Sequence, residues 1–196
     1  MDLSIVTPPA SEPVSTSEAK AHCRIDISTD DSLVGYLISS ARRFCENYCQ
    51  RGFINQTWKL SYDISDFDPC TRVIRLPFGT VQSITNIKTY DSENNPTTLD
   101  TSYYRLSHDR IVLNDGYEWP ALDRMHDSME ITYVVGYGSS ASNVPQDIRQ
   151  AILMTIAHQY ENREAVIDPI SPNDKQSIML PMGVAALLVP YRIFAV

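Results

Sequence analysis

The chain has 196 residues, of which 43% are hydrophobic and 20% charged, and a formal net charge of −8 at pH 7. Such a length supports one good core with room for an inserted subdomain, and such a composition is globular rather than disordered. The acidic balance speaks against a nonspecific nucleic-acid binder, which needs Lys and Arg to replace phosphate counterions.

Two further classes lose ground early. The opening "MDLSIVTPPASEPVS" is proline-rich and lacks a secretory pattern, and no run of about 18 apolar residues is present to span a membrane. The cysteines are Cys23, Cys45, Cys49 and Cys70, with no CxxC pair. Cys45 and Cys49 share one face of a helix; read as small buried thiols, they fit assembly in a reducing cytoplasm.

Residues 1–14 read as an extended N-terminal arm, because Pro8, Pro9 and Pro13 block both a helix and a central strand. Ser15 and Glu18 then form a capping-box pattern, which predicts a short helix over 16–23. Ser28 or Thr29 can cap a second helix, with Asp30 and Asp31 in its first turn, where the helix dipole favours anions. That helix runs to about Gln50 with two apolar rows: Leu33, Leu37, Ala41, Phe44 and Tyr48, and beside it Val34, Ile38, Cys45 and Cys49. The combined face is wider than one partner element needs, and predicts burial on two sides, by the core and by another element or subunit. Gly52 is the expected C-cap.

From Gln56 the period changes to two. "TWKLSYDI" places Trp58, Leu60, Tyr62 and Ile64 on one face, and "RVIRLP", "VQSITNIKTYD", "SYYRL", "RIVLN" and "SMEITYVVGYG" follow as strands. "SENNP" is a turn, and Ser107-His108-Asp109 joins a hairpin. Six strands at this spacing predict an antiparallel sandwich or small barrel. A third helix starts at Pro145 and extends over about 145–163, burying Ile148, Ala151, Ile152, Ile156 and Tyr160. After a loop with Pro169 and Pro172, Pro181 opens a last short helix that packs through Val184, Leu187 and Leu188 and stops at Pro190. "YRIFAV" is then expected as a free extended end.

The predicted class is therefore α+β: a bundle of three to four helices with an inserted antiparallel β-rich domain. The boundaries are an arm at 1–14, a discontinuous helical domain at 15–55 and 139–190, the β domain at 56–138 and a C-terminal arm at 191–196.

Motifs of catalysis are absent: there is no GxSxG, P-loop, GxGxxG or HExxH. His158 and Glu161 lie three apart, but a helical di-metal site needs the opposite order and a second copy, so a solvated face or a capping contact is the better reading. Asp63, Asp66 and Asp68 in "YDISDFD" come nearest to a cation cluster, and turns commonly carry such residues. Tyr62, Tyr90, Tyr103, Tyr104, Tyr117 and Tyr133 lack a basic groove to accompany base stacking, so cross-strand packing accounts for them. No enzyme, metal or cofactor is expected. A wide apolar helix face and an apolar tail point to a protein–protein interface, with Val34, Ile38, Cys45, Tyr191, Ile193 and Phe194 as the candidate partner-binding residues.

The ordered motifs resemble one family. "SEAKAHCRIDISTDDSLVGYLISSARRFCENYCQRGFINQTW", with Arg24, Asp30-Asp31 and Ala41-Arg42, is similar to the N-terminal segment of bacteriophage head–tail connector (adaptor) proteins. "IRLPFGTVQSITNIKTYD", "ITYVVGYGSSASNVPQDIRQAILMTIAHQYENRE" and "LLVPYR" resemble its strand pair, its last strand and proline-started helix, and its close. The resemblance covers nearly the whole chain and suggests the longer subgroup with an inserted β domain.

That likeness implies a structural virion protein, assembled in the bacterial host cytoplasm and found in the neck. The family forms a ring, usually of twelve copies, beneath the portal protein; the ring extends the DNA channel and docks the next neck, stopper or tail protein. Its helices make the ring body and the β block projects. DNA passes without specific binding, no membrane is involved, and there are no catalytic residues to carry over. The rival readings are another neck component, such as a tail completion or stopper protein, and a small-ligand-binding or enzymatic α+β protein.

Overall fold

Alternation of apolar and polar residues and helical spacing divide this chain between two kinds of structure. The computed structural model describes residues 1–162 and 182–193. One unit comprises Met1–Ala10 with Arg51–Ser139, the other Ser11–Gln50 with the described residues from Ser140 onward.

The first unit is built of strands β1 (Asp2–Thr7), β2 (Gln56–Tyr62), β3 (Val73–Arg75), β4 (Val81–Tyr90), β5 (Pro96–Thr98), β6 (Tyr104–Ser107), β7 (Arg110–Leu113) and β8 (Met129–Val135). They form a five-stranded sheet in the order β1-β2-β8-β4-β5 and a three-stranded sheet in the order β3-β7-β6. All pairings between these strands are antiparallel. Both sheets feed one buried cluster, as the sandwich reading expects. Along β8 the side chains of Met129, Ile131, Tyr133 and Val135 are buried and the alternate ones half-buried. Each such residue contributes about 1.5–3 kcal/mol. Ile74, Ile111 and Leu113 face them from the small sheet, and Trp58 stacks on Phe78 with ring centroids 4.4 Å apart. Gly136 leaves β8 at φ +142°, where an added Cβ would lie 2.6 Å from the Asn55 backbone nitrogen; only glycine fits there.

Four details differ from the sequence reading. Residues 2–7 are not a free arm: they pair with β2 from Asp2↔Ser61 to Thr7↔Thr57. Leu3 and Ile5 rest against the core, and the strand ends before Pro8, at a sheet edge where proline does no harm. Ile64 lies beyond the end of β2 and is exposed. β5 was masked by the turn residues around it; Pro96 opens it on the outer edge of the sheet, where the missing N–H is not needed. Gly52 is not a helix cap but a close-packing point, since a Cβ there would meet the Val135 side chain at 2.6 Å. The 107–110 hairpin is present as expected, with Ser107 opposite Arg110 and His108 at φ 56°.

The second unit holds helices α1 (Thr16–Cys23), α2 (Asp31–Cys49), α3 (Gln146–Glu161) and α4 (Met182–Leu188). The capping box of α1 is complete: the Glu18 N–H donates to Ser15 Oγ at 3.2 Å, and the Ser15 N–H donates to the Glu18 carboxylate at 2.8 Å. Arg24 ends α1 in the left-handed region. The N-cap of α2 is Asp30, not Ser28 or Thr29, and its carboxylate accepts from the Tyr160 hydroxyl at 2.6 Å, tying α2 to α3. The C-cap of α2 is Gln50, left-handed at φ 54°. Val34, Ile38, Ala41, Cys45 and Cys49 of α2 are buried, as are Ile148, Ala151, Ile152 and Ile156 of α3 and Val184 and Leu188 of α4. Pro190 does not stop the helical path; it enters a 3-10 turn, Val189–Tyr191, early enough that its missing N–H is not required.

Candidate interaction surfaces

Helix α2 decides what the helical unit can offer. Its inner arc carries the row Val34, Ile38, Cys45 and Cys49, together with Ala41, Arg42 and Glu46. Arg42 donates to Glu12 and to Glu46, each at 2.7 Å, so a cation sits inside a largely apolar helix pack. Burial by itself would make the guanidinium easier to deprotonate; the hydrogen bonds it donates to both carboxylates, and their negative charge, outweigh this and hold its pKa above the ordinary value. This places the Ala41-Arg42 pair, noted in the sequence, at an internal tie between α2 and the segment before α1.

Of the other row, Ala41 is buried and the remaining residues face outward. Leu33, Leu37 and Tyr48 are half-buried and Phe44 is 40% exposed, with Tyr36 beside them at 74%. On a helix these positions lie about a quarter turn or more from the middle of the buried arc. The apolar residues of α2 thus fall on a buried side and a more open side. Val34, Ile38 and Cys45 are buried within the folded chain and cannot meet an outside partner while it stays folded. Nothing in spacing alone distinguishes the rows; the buried Arg42–Glu46 pair disguises the inner arc as a polar one.

The C-terminal candidates are tied down rather than free. The Tyr191 hydroxyl donates to Asp147 at 3.0 Å, the Arg192 guanidinium lies 5.0 Å from the Tyr48 ring centroid, and the Ile193 N–H donates to the Cys49 carbonyl at 2.9 Å. Phe194 lies outside the described residues, as do the loop prolines Pro169 and Pro172 and the helix-opening Pro181.

The chemical candidates disperse. Burial pushes the Cys45 thiol up to about 12, which makes it unreactive at neutral pH. His158 is exposed, and Asn162 donates to its carbonyl at 3.0 Å, a capping contact at the end of α3. Asp63 accepts from the Asp127 N–H, Asp66 pairs with the Met1 amino group and Asp68 accepts from the Cys70 N–H, so the three carboxylates turn to separate partners. Among the described residues no group of three or more His, Cys, Asp or Glu side chains could hold a metal. A cleft of about 430 Å³ beside α1 is floored by Val14 and Ile38, and its two carboxylates are already bonded, Glu12 to Arg42 and Glu18 to Ser15 and Arg149.

The arrangement is that of an α+β protein with a partly exposed apolar row on α2. The family of head completion proteins matches residues 13–194, and the chain belongs to that family. No curated protein matches. Among solved structures, a chain from the neck of an empty GTA particle computed with C6 symmetry is 23% identical, with a TM-score of 0.80 over 100% of this chain and 97% of that one. A chain from the virion of a native gene transfer agent (GTA) particle is 22% identical, with a TM-score of 0.81 over the same shares. A chain from the neck of the native GTA particle computed with C12 symmetry is 24% identical, with a TM-score of 0.74 over 100% and 97%. These likenesses are of fold. The resemblance read from the sequence is thus carried at the level of head completion.

Proposed function

We propose that the chain is a structural virion protein of the neck, a connector that forms a ring beneath the portal and docks the next neck, stopper or tail protein. The family match over residues 13–194 carries this reading. Three similar folds come from neck and virion particles, two of them computed with C6 and C12 symmetry, which supports a ring of twelve copies. A ring requires heterologous contacts, in which each copy presents two different surfaces. The outward row of α2, Leu33, Leu37 and Phe44, supplies one of them, and Tyr191 and Ile193, held against the same helical unit, border it. The role is structural rather than catalytic.

The net charge of −8 supports a lumen that repels phosphates and lets DNA pass without binding. The decisive experiment mixes the purified chain with the portal protein of the same particle and images the product. A twelve-fold ring on the portal, with net-negative side chains lining its channel, is the expected result. Absence of a complex would overturn the connector reading, and a basic channel would overturn the lumen argument.

A further inference from the structure

The outward face of the three-stranded sheet departs from the charge of the rest of the chain. Ile74, Tyr104, Ile111 and Leu113 point inward, so the alternation leaves Val73, Arg75, Arg105, Ser107, Arg110 and Val112 on the opposite face. Half of these are arginines and none is acidic, on a chain of net charge −8. Arg75 stands directly across from Arg110, and Arg105 stands across from Val112, one diagonal step from Arg110. All three arginines are exposed. Among the described residues none of them makes an ion pair, in contrast to Arg42, Arg72 and Arg149. Like charges directly opposite on neighbouring strands destabilise a sheet, and no contact within this unit offsets that.

We propose that this face docks an acidic segment of another protein, its carboxylates on the three guanidinium groups and an apolar side chain on the Val73–Val112 pair. The planar fork of arginine matches a carboxylate bidentately. A protein rather than nucleic acid is favoured by two observations. Val73, on the edge strand beside Arg75 and across from Val112, is 45% exposed, an apolar contact that a protein side chain can use and a phosphate backbone cannot. The acidic remainder of the chain also repels a long polyanion. This surface belongs to the β unit and does not depend on the ring.

The test titrates the full chain, at low ionic strength, with fluorescein-labelled peptides carrying three glutamates around one leucine or one serine. The leucine peptide binds better, and the triple variant Arg75→Gln/Arg105→Gln/Arg110→Gln weakens it by about tenfold or more. Val73→Ser weakens the leucine peptide and leaves the serine peptide unchanged. The triple variant melts at or above the wild-type temperature, since the opposed charges are gone; single Arg75→Gln serves if it does not. Tighter binding of a short DNA duplex, lost in the triple variant, would overturn the proposal in favour of phosphate. Salt-sensitive self-association lost in that variant would assign the face to a second copy instead, and peptide affinity indifferent to the arginines would end it.

Discussion

Arg42 and Glu46 lie one turn apart inside the helical unit, and that pair carries the most exposed energetic liability of the fold. Glu46 is 3% exposed and accepts from the guanidinium at 2.7 Å. Arg42→Met keeps the stem but takes the guanidinium away from a buried carboxylate, so urea denaturation is expected to give a loss of about 3–5 kcal/mol. Adding Glu46→Leu removes the buried charge and restores most of it; if the double variant is as unstable as the single, the cost lies in packing rather than in charge. On β8, Glu130 accepts from the Tyr90 hydroxyl at 2.8 Å and from Lys59 at 3.1 Å. Burial pushes its pKa up, the two hydrogen bonds more than offset this, and the net position is below the ordinary 4.5. A depressed folded value means the stabilisation is present above 4.5 and is lost as pH falls through the folded pKa. The urea midpoint should therefore drop between pH 6 and pH 3, and drop less in Glu130→Gln. Single residues were unevenly legible. Ser15 and Glu18 declare their cap because the motif is local, whereas Asp30 hides its role because its partner, Tyr160, lies far along the chain.

At the scale of elements, α2 separates what spacing can and cannot tell. Its length, its caps to within a residue or two, and its two apolar rows follow from the 3.6-residue period. Which row faces inward does not, because that depends on the shape of α3 and on a buried ion pair that looks polar in sequence. The structure gives opposite outcomes for neighbouring positions. Ile38→Asp places a charge in the core and should abolish cooperative unfolding by circular dichroism. Leu37→Asp and Phe44→Asp should keep a wild-type thermal midpoint to within a few degrees and lose ring formation on the portal, measured by size exclusion. A folded Leu37→Asp that assembles normally would remove that row from the contact surface. The end of the chain teaches the same lesson: "YRIFAV" reads as free because its contacts to Asp147, Tyr48 and Cys49 are all remote in sequence. Truncation after Pro190 should lower the melting temperature of the helical unit as well as weaken docking.

Across the whole molecule, the chain passes between its two units three times, near residues 10, 50 and 139. The α+β class and the β block between helical segments were legible, because the hydrophobic period switches from helical to alternating at Gln56 and back after Gly138. The membership of β1 was not, since pairing with β2 more than fifty positions away leaves no local trace beyond Leu3 and Ile5. The order of strands has a consequence in time. β2 and β4 never touch; each pairs with β8, which stands between them. Translation reaches β8 at Met129, 67 positions after β2 ends at Tyr62 (129 − 62). At about 5–20 residues per second the ribosome holds β2 without its joining strand for roughly 3–13 s. A fragment of residues 1–128 should accordingly lack a cooperative β transition, and a ribosome that stops early releases two unmatched strand edges for chaperones or proteases to find. Among the described residues β8 is the last strand made, and closure of the five-stranded sheet waits on it.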